Sequence, residues 1–347
     1  MRVRTTDSLR VRVRSGRRSA RAAWHAFART TCGVLVGALS GAVPAGPLSL
    51  PGAARLAALD CARVSAADVA EVLSGAPAPR IIALHGSVPI VTMEPFAEFL
   101  VTMGYPDERV RNPVDGARTY RSFVDSRRLA GEIAWHYERD GVMPILIGHS
   151  QGGMVVIKVL HDLAGTAAPS IPVWNPARGE PESRTTIVDP RDGSMRPVVG
   201  LRLDFAAALA TGSLPRILLG QWGVLPLLRD VPDSVAEFTG FAIPWDPIAG
   251  TGPEPAGFRA TGTARVRNVV LPADYSHIGL PATAHLARQP ETRRWVDAWR
   301  PDAAPEMPEG VDVTNLLHAA DLWYSVKRHW CEGAQAFART ATNRASR

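Results

Sequence analysis

Apolar residues in this chain recur with two different periods, and the switches between them mark the elements. Arg80-Ile81-Ile82-Ala83-Leu84 and Pro144-Ile145-Leu146-Ile147 are short unbroken apolar runs, the pattern of strands covered on both faces. Glu94 to Thr102 places Phe96, Phe99 and Leu100 on one helical face. Ser122 to Arg139 repeats Phe123, Leu129, Ile133, Ala134 and Tyr137 at helical spacing and predicts an amphipathic helix. Met154 to Leu160 begins another helix, ending near Gly165. A short helix is expected over Ala66 to Leu73, and strands over Glu108 to Asn112 and Ile171 to Trp174. Strands and helices alternating at this spacing imply βαβ units. The fold class is therefore α/β, with a mostly parallel central sheet and helices on both faces.

From about Ala177 to Asp233 the alternation breaks, and this stretch reads as a cap insertion. Thr185 to Val188 and Arg196 to Leu201 flank the turn-rich Asp189-Pro190-Arg191-Asp192-Gly193 and predict a hairpin. Phe205 to Thr211 and Ile217 to Leu228 read as apolar helices. Such a cap either covers an active site or packs as ordinary core. The sheet resumes with strands over Val235 to Ile243 and Ala264 to Leu271. Pro281 to Ala298 holds the last packed helix, and Val311 to His329 a final amphipathic helix docked on the surface. The organisation expected is a basic and apolar leader over 1–45, an Ala/Pro/Gly-rich lead-in over 46–79, the α/β domain over 80–300 with its cap over about 177–233, and a helical tail over 301–347.

Charge changes the picture only at the start. The 347 residues carry a formal charge of +6, but Met1 to Arg29 holds nine arginines against Asp7 alone, leaving −2 for the rest. No basic patch in the folded part argues for nucleic acid. The arginines precede an apolar, small-residue run from Cys32 to Ala45, which together resemble a secretory signal with Val43-Pro44-Ala45 as cleavage site. An uncleaved membrane anchor running to about Leu50, or a basic tail on a cytosolic protein, are the alternatives. Export, to the periplasm or beyond, is the expectation. Of three cysteines, Cys61 and Cys331 lie outside the leader; an oxidising compartment would permit them to pair, though sequence leaves their pairing open. No Cys or His spacing suggests a metal.

The chemistry centres on Gly148-His149-Ser150-Gln151-Gly152, between a predicted strand and a predicted helix. A G-x-S-x-G pentapeptide in that context is a nucleophile elbow, a turn so tight that the residues two before and two after the serine must be small. Gly148 and Gly152 meet that demand, and Gly153 lets the helix approach the sheet. A serine hydroxyl needs a base and a group to orient it. His277 lies in a loop after the last predicted strand, and Asp246 follows the strand before it, in the order acid then histidine. His149, His161, His285, His318 and His329 are weaker candidates for the base by position, as are Glu237, Asp233 and Asp274 for the acid. The backbone N–H of Gln151 is one candidate oxyanion donor. His85-Gly86 supplies a close-approaching turn, which makes the N–H of Ser87 the other.

On His85-Gly86, the Gly148–Gly153 elbow, Asp246 and His277, the chain resembles the α/β-hydrolase superfamily, and bacterial lipase- and esterase-like members in particular, over roughly Arg80 to Arg300. It departs from lipases in having one glycine, not a run, in the oxyanion loop. The resemblance implies a Ser150–His277–Asp246 triad, oxyanion donors at Gln151 and Ser87, and acyl transfer from a small-molecule or lipid-like ester. An uncharged, hydrophobic acyl group is expected, with no metal or organic cofactor. A thioesterase, acyltransferase or perhydrolase would use the same triad, and an exported binding protein could keep the fold without the activity.

Overall fold

The computed structural model describes residues 50–88 and 90–345, with side chains over 52–88 and 90–342. The leader expected over 1–45, with its cleavage site and Cys32, lies outside the described residues. In chain order the strands are β1 (Ile81–Leu84), β2 (Ile145–His149), β3 (Trp174–Asn175), β4 (Glu180–Pro181), β5 (Thr186–Val188), β6 (Met195–Pro197), β7 (Leu203–Leu209), β8 (Asp230–Val231), β9 (Val235–Ala242), β10 (Arg259–Ala260) and β11 (Arg265–Val270). The α-helices are α1 (Leu50–Ala58), α2 (Ala66–Glu71), α3 (Glu94–Thr102), α4 (Asp107–Val110), α5 (Ser126–Asp140), α6 (Gln151–Leu163), α7 (Leu214–Leu218), α8 (Ala284–Arg288), α9 (Pro290–Ala298) and α10 (Leu316–Ala345).

Five strands make the central sheet in the order β1-β2-β7-β9-β11, each parallel to its neighbours. Side chains alternate across it. Ile81, Ala83, Ile145, Ile147, Phe205, Ala207 and Phe241 point to one face, where they pack with α3 and the C-terminal helices. Ile82, Leu84, Leu146, Ala206, Ala208 and Phe238 point to the other, under α5 and α6. Both faces are therefore covered, as the unbroken apolar runs require, and the architecture is α/β.

Several elements differ from expectation. Phe205 to Thr211 is not helical: Leu203–Leu209 is the central strand β7. Its alanines favour a helix locally, but burial on both faces overrides that, and small residues are needed where α6 presses on the sheet. A Cβ on Gly153 would lie 3.1 Å from that of Ala208. The stretch 177–233 is thus not one insertion. It divides into β4, which pairs antiparallel with the preceding β3, the antiparallel β5–β6 pair, the sheet strand β7, and an excursion over 210–231 containing α7. The strand expected at Ile171 to Trp174 stays out of the sheet, and that at Glu108 to Asn112 is replaced by α4. Helix α5 begins at Ser126 because Asp125 caps it, accepting from the Arg127 N–H at 3.0 Å, which leaves Phe123 outside and exposed. Pro290 splits the expected 281–298 helix into α8 and α9.

The final helix is longer than expected and enters the core. Trp323 and Trp330 of α10 are fully buried, and Asp321 pairs with Arg267 of β11. Arg328 pairs with Glu237 of β9 at 2.5 Å. Cys331 is disulfide-bonded to Cys61, with 5.4 Å between Cα atoms, which ties the lead-in to the C-terminal helix. Gln335 Nε2 reinforces the tie by donating to the carbonyls of Leu56 and Leu59.

Candidate active site

Strand β2 ends where α6 begins, and Ser150 is the residue between them, with φ 52° and ψ −112°. A non-glycine residue pays for such a conformation in steric strain, so the surroundings must impose it. Close packing does so. A Cβ on Gly148 would lie 2.3 Å from the carbonyl carbon of Gly152, and one on Gly152 would lie 2.2 Å from the carbonyl oxygen of Leu84. The Ser150 N–H donates to Leu209 O at 2.8 Å, and Thr211 Oγ1 donates to Ser150 O at 3.1 Å, so the top of β7 clamps the turn.

Three separated side chains meet there. Ser150 Oγ lies 3.0 Å from His277 Nε2, and His277 Nδ1 lies 2.6 Å from Asp246 Oδ2. All three are buried. Asp246 Oδ1 accepts from the N–H groups of Ile248 and Ala249 at 2.9 and 3.0 Å, in a turn closed by Thr251, whose Oγ1 accepts from the Asp246 N–H. Burial by itself would raise the Asp246 pKa. The hydrogen bond from His277 and those two amides outweigh it and hold the carboxyl below its ordinary value. The carboxylate therefore keeps Nδ1 protonated and Nε2 free to accept. An alcohol, imidazole and carboxylate linked this way can move the alcohol proton to the imidazole as the oxygen attacks an electrophile.

The loop after β1 lies against this group. A Cβ on Gly86 would sit 3.3 Å from Ser150 Cβ. The Gly86 carbonyl accepts from Ser122 Oγ at 2.9 Å and contacts His85 Nδ1 at 2.7 Å. In a trans peptide the following N–H, that of Ser87, points the opposite way. Gln151 opens α6, so its N–H has no acceptor within the helix. Negative charge is favoured at that end of the helix.

Sequence reasoning missed the supports of the histidine loop. His149, weighed as a base, instead buttresses His277: its Nε2 lies 2.8 Å from the His277 carbonyl oxygen. Burial and the neighbouring His277 push its pKa down to about 3, so the ring is neutral. Asn315, just before α10, donates from Nδ2 to the carbonyls of Gly279 and Ala282 at 2.7 and 3.1 Å, and His318 meets Leu280 O at 2.9 Å. No local pattern marks these residues, because each contact joins segments at least 33 residues apart. His161, His285 and His329 make no such contact; His161, for one, bonds the Asp230 carbonyl.

The loops carrying the group also present apolar side chains to solvent. Trp245 beside Asp246 is 66% exposed and Ile278 beside His277 is 55% exposed, with Val88 and Phe123 exposed on the loops that flank Gly86. Leu214 of the 210–231 excursion touches the Asp246 turn, its Cβ 2.5 Å from where a Cβ of Gly250 would be. Leu218, Leu219 and Trp222 of the same excursion are also exposed. Among the described residues, no group of three or more His, Cys, Asp or Glu side chains is placed to hold a metal ion, and no helix is long and apolar enough to cross a membrane. No protein-family model matches the chain, and no curated protein matches it in sequence.

Proposed function

We propose that the chain is a serine hydrolase of the α/β-hydrolase type that cleaves carboxylic esters of acids with an apolar chain. The observation that carries this reading is the relay of 3.0 and 2.6 Å from Ser150 through His277 to Asp246, built on a serine held at φ 52°. Strain and close packing of this kind have a cost, and a nucleophile that must stand clear of its own backbone accounts for it.

His277 Nε2 takes the proton of Ser150 as Oγ attacks the ester carbonyl. The tetrahedral oxyanion is received by the N–H groups of Gln151 and Ser87; removing one such donor typically costs about 3–4 kcal/mol of transition-state stabilisation. His277 returns the proton to the departing alkoxide, leaving an acyl group on Ser150. A water molecule, deprotonated by His277, attacks the acyl carbon, and collapse of the second oxyanion releases the acid and restores the Ser150 hydroxyl. Asp246 stabilises the imidazolium in both halves. The excursion over 210–231 and the exposed Trp245 and Ile278 form a cap and rim for the acyl chain. The basic and apolar leader together with the Cys61–Cys331 bond supports an exported protein, since disulfides persist in oxidising compartments.

A fluorophosphonate probe and a series of p-nitrophenyl esters test the reading. Wild type should be labelled at Ser150 and turn over esters, and Ser150→Ala should lose label and at least three decades of kcat. Equal turnover by the variant would remove Ser150 as nucleophile, and a folded, unlabelled wild type would favour a binding protein.

A further inference from the structure

Helix α6 carries more than the nucleophile at its head. Met154 and Lys158 follow Ser150 at intervals of four, so the three share one face, and a rise of about 1.5 Å per residue puts the Lys158 Cα about 12 Å along the helix from Ser150. Between that face and the end of the excursion lies a cavity of about 300 Å³, lined by Met154, Lys158, Gln221, Gly223, Val224 and Leu227.

Its lining holds two polar side chains, Lys158 and Gln221, and Arg216 lies against Gln221. Arg216 is 1% exposed, and its Nε has no hydrogen-bond partner. No carboxylate pairs with it among the described residues. Its Nη1 donates to Gln221 Oε1 at 2.7 Å. A guanidinium can only donate, so the amide oxygen of Gln221 is turned to Arg216 and its NH₂ is left for the cavity. Lys158 has no hydrogen bond or ion pair among the described residues, and Asp162, one turn on, faces Arg127. Burying a cation without an acid is costly. Here it fixes an amide so that a second cation and two N–H groups face one space whose walls are apolar.

We propose that this cavity takes the far end of the acyl chain, and that this end is a carboxylate: the substrate is a monoester of a medium-length dicarboxylic acid. The proposal rests on the reading of Ser150 as the acylated residue. Met154, Val224 and Leu227 line the chain, while Lys158 and the Gln221 NH₂ bind the carboxylate. Cα–Cβ bonds of a helix tilt toward its N-terminus, so a lysine at this position can reach back to a span of roughly 10 Å from Ser150, the length of an extended suberate or sebacate chain.

The test is calorimetric binding of monomethyl suberate and of dimethyl suberate to the Ser150→Ala protein, where hydrolysis cannot intervene. The monoester should bind at least tenfold tighter, with the gap closing at high salt. Lys158 is exposed, so K158M should fold, and it should bring the monoester down to the affinity of the diester. Q221E, which puts an acid into the cavity, should weaken the monoester further. Equal affinity for the two esters, including no detectable binding of either, overturns the proposal, as does a gap that survives K158M. Turnover of neutral p-nitrophenyl esters by the wild type reports separately on the hydrolase reading. Turnover without selectivity sinks this proposal alone, whereas selective binding without turnover sinks the hydrolase reading and, with it, the assignment of the monoester as substrate.

Discussion

The Nε2–H of His149 donates to the main-chain carbonyl of His277 across 2.8 Å, and the two rings lie 5.1 Å apart. A carbonyl only accepts, so the tautomer of His149 is settled by the contact. The residue next to Ser150 thereby holds the backbone of His277, the proposed base. His149→Ala should lower kcat for p-nitrophenyl esters about tenfold, in line with the ~1–3 kcal/mol cost of leaving a buried acceptor unpaired. The KM should move little, and Ser150 should still react with a fluorophosphonate, more slowly. An unaltered kcat in a folded variant would show that the bond does not position His277.

Asn315 supports the same loop from the C-terminal side. It is buried, at φ +67°, a conformation that asparagine tolerates better than most residues. Asn315→Ala leaves the carbonyls of Gly279 and Ala282 without their donor and should cost about 1–3 kcal/mol of stability. Asn315→Asp keeps the shape but removes the donor, and should lower kcat as the alanine does. Denaturant midpoints with kcat on the same samples separate misplacement of His277 from unfolding.

Acid should destabilise the protein before Asp246 titrates. Burial pushes His149 down to about 3 and His318 to about 4, and burial with the nearby arginines holds His136 well below its ordinary value. Unfolded, these rings take up protons below about pH 6.5; folded, they stay neutral until far lower. The unfolded chain therefore binds more protons, and stability falls as the pH drops from 6.5 toward 4, by at most about 4 kcal/mol per pH unit for three groups. Asp246, whose folded pKa is lowered, adds its loss below about pH 4. Asp204, Asp321 and Glu132, raised by burial, take up protons in the folded state above about pH 4 and so offset part of the histidine loss. Urea midpoints that do not change between pH 7 and pH 5 would contradict this.

The Cys61–Cys331 bond closes a loop of 270 residues. Cross-links over long loops restrict the unfolded chain most, so the double serine variant should lose about 3–5 kcal/mol. Its midpoint should match that of reduced wild type. The tie holds α10, and α10 places Asn315 and His318 under the histidine loop, so kcat should also fall on reduction, and more steeply near the melting temperature.

Sequence by itself determined what depends on neighbours along the chain. The strand–GHSQG–helix pattern fixed Ser150 and its two glycines, since the tightness of that turn is a local demand. The acid-then-histidine order picked Asp246 and His277 from the ends of two strands, and the structure brings both to Ser150. Tertiary structure decided the rest. The alanine-rich 203–209 segment reads as helix on propensity, and only burial between two helical layers makes it the central strand. The tail reads as a surface helix, but its tryptophans are buried with α3 against one face of the sheet. His149, Asn315 and the Arg216–Gln221 pair gain their roles from atoms brought close by folding. A residue's period along the chain records which face it occupies, and carries nothing about which distant carbonyl waits there.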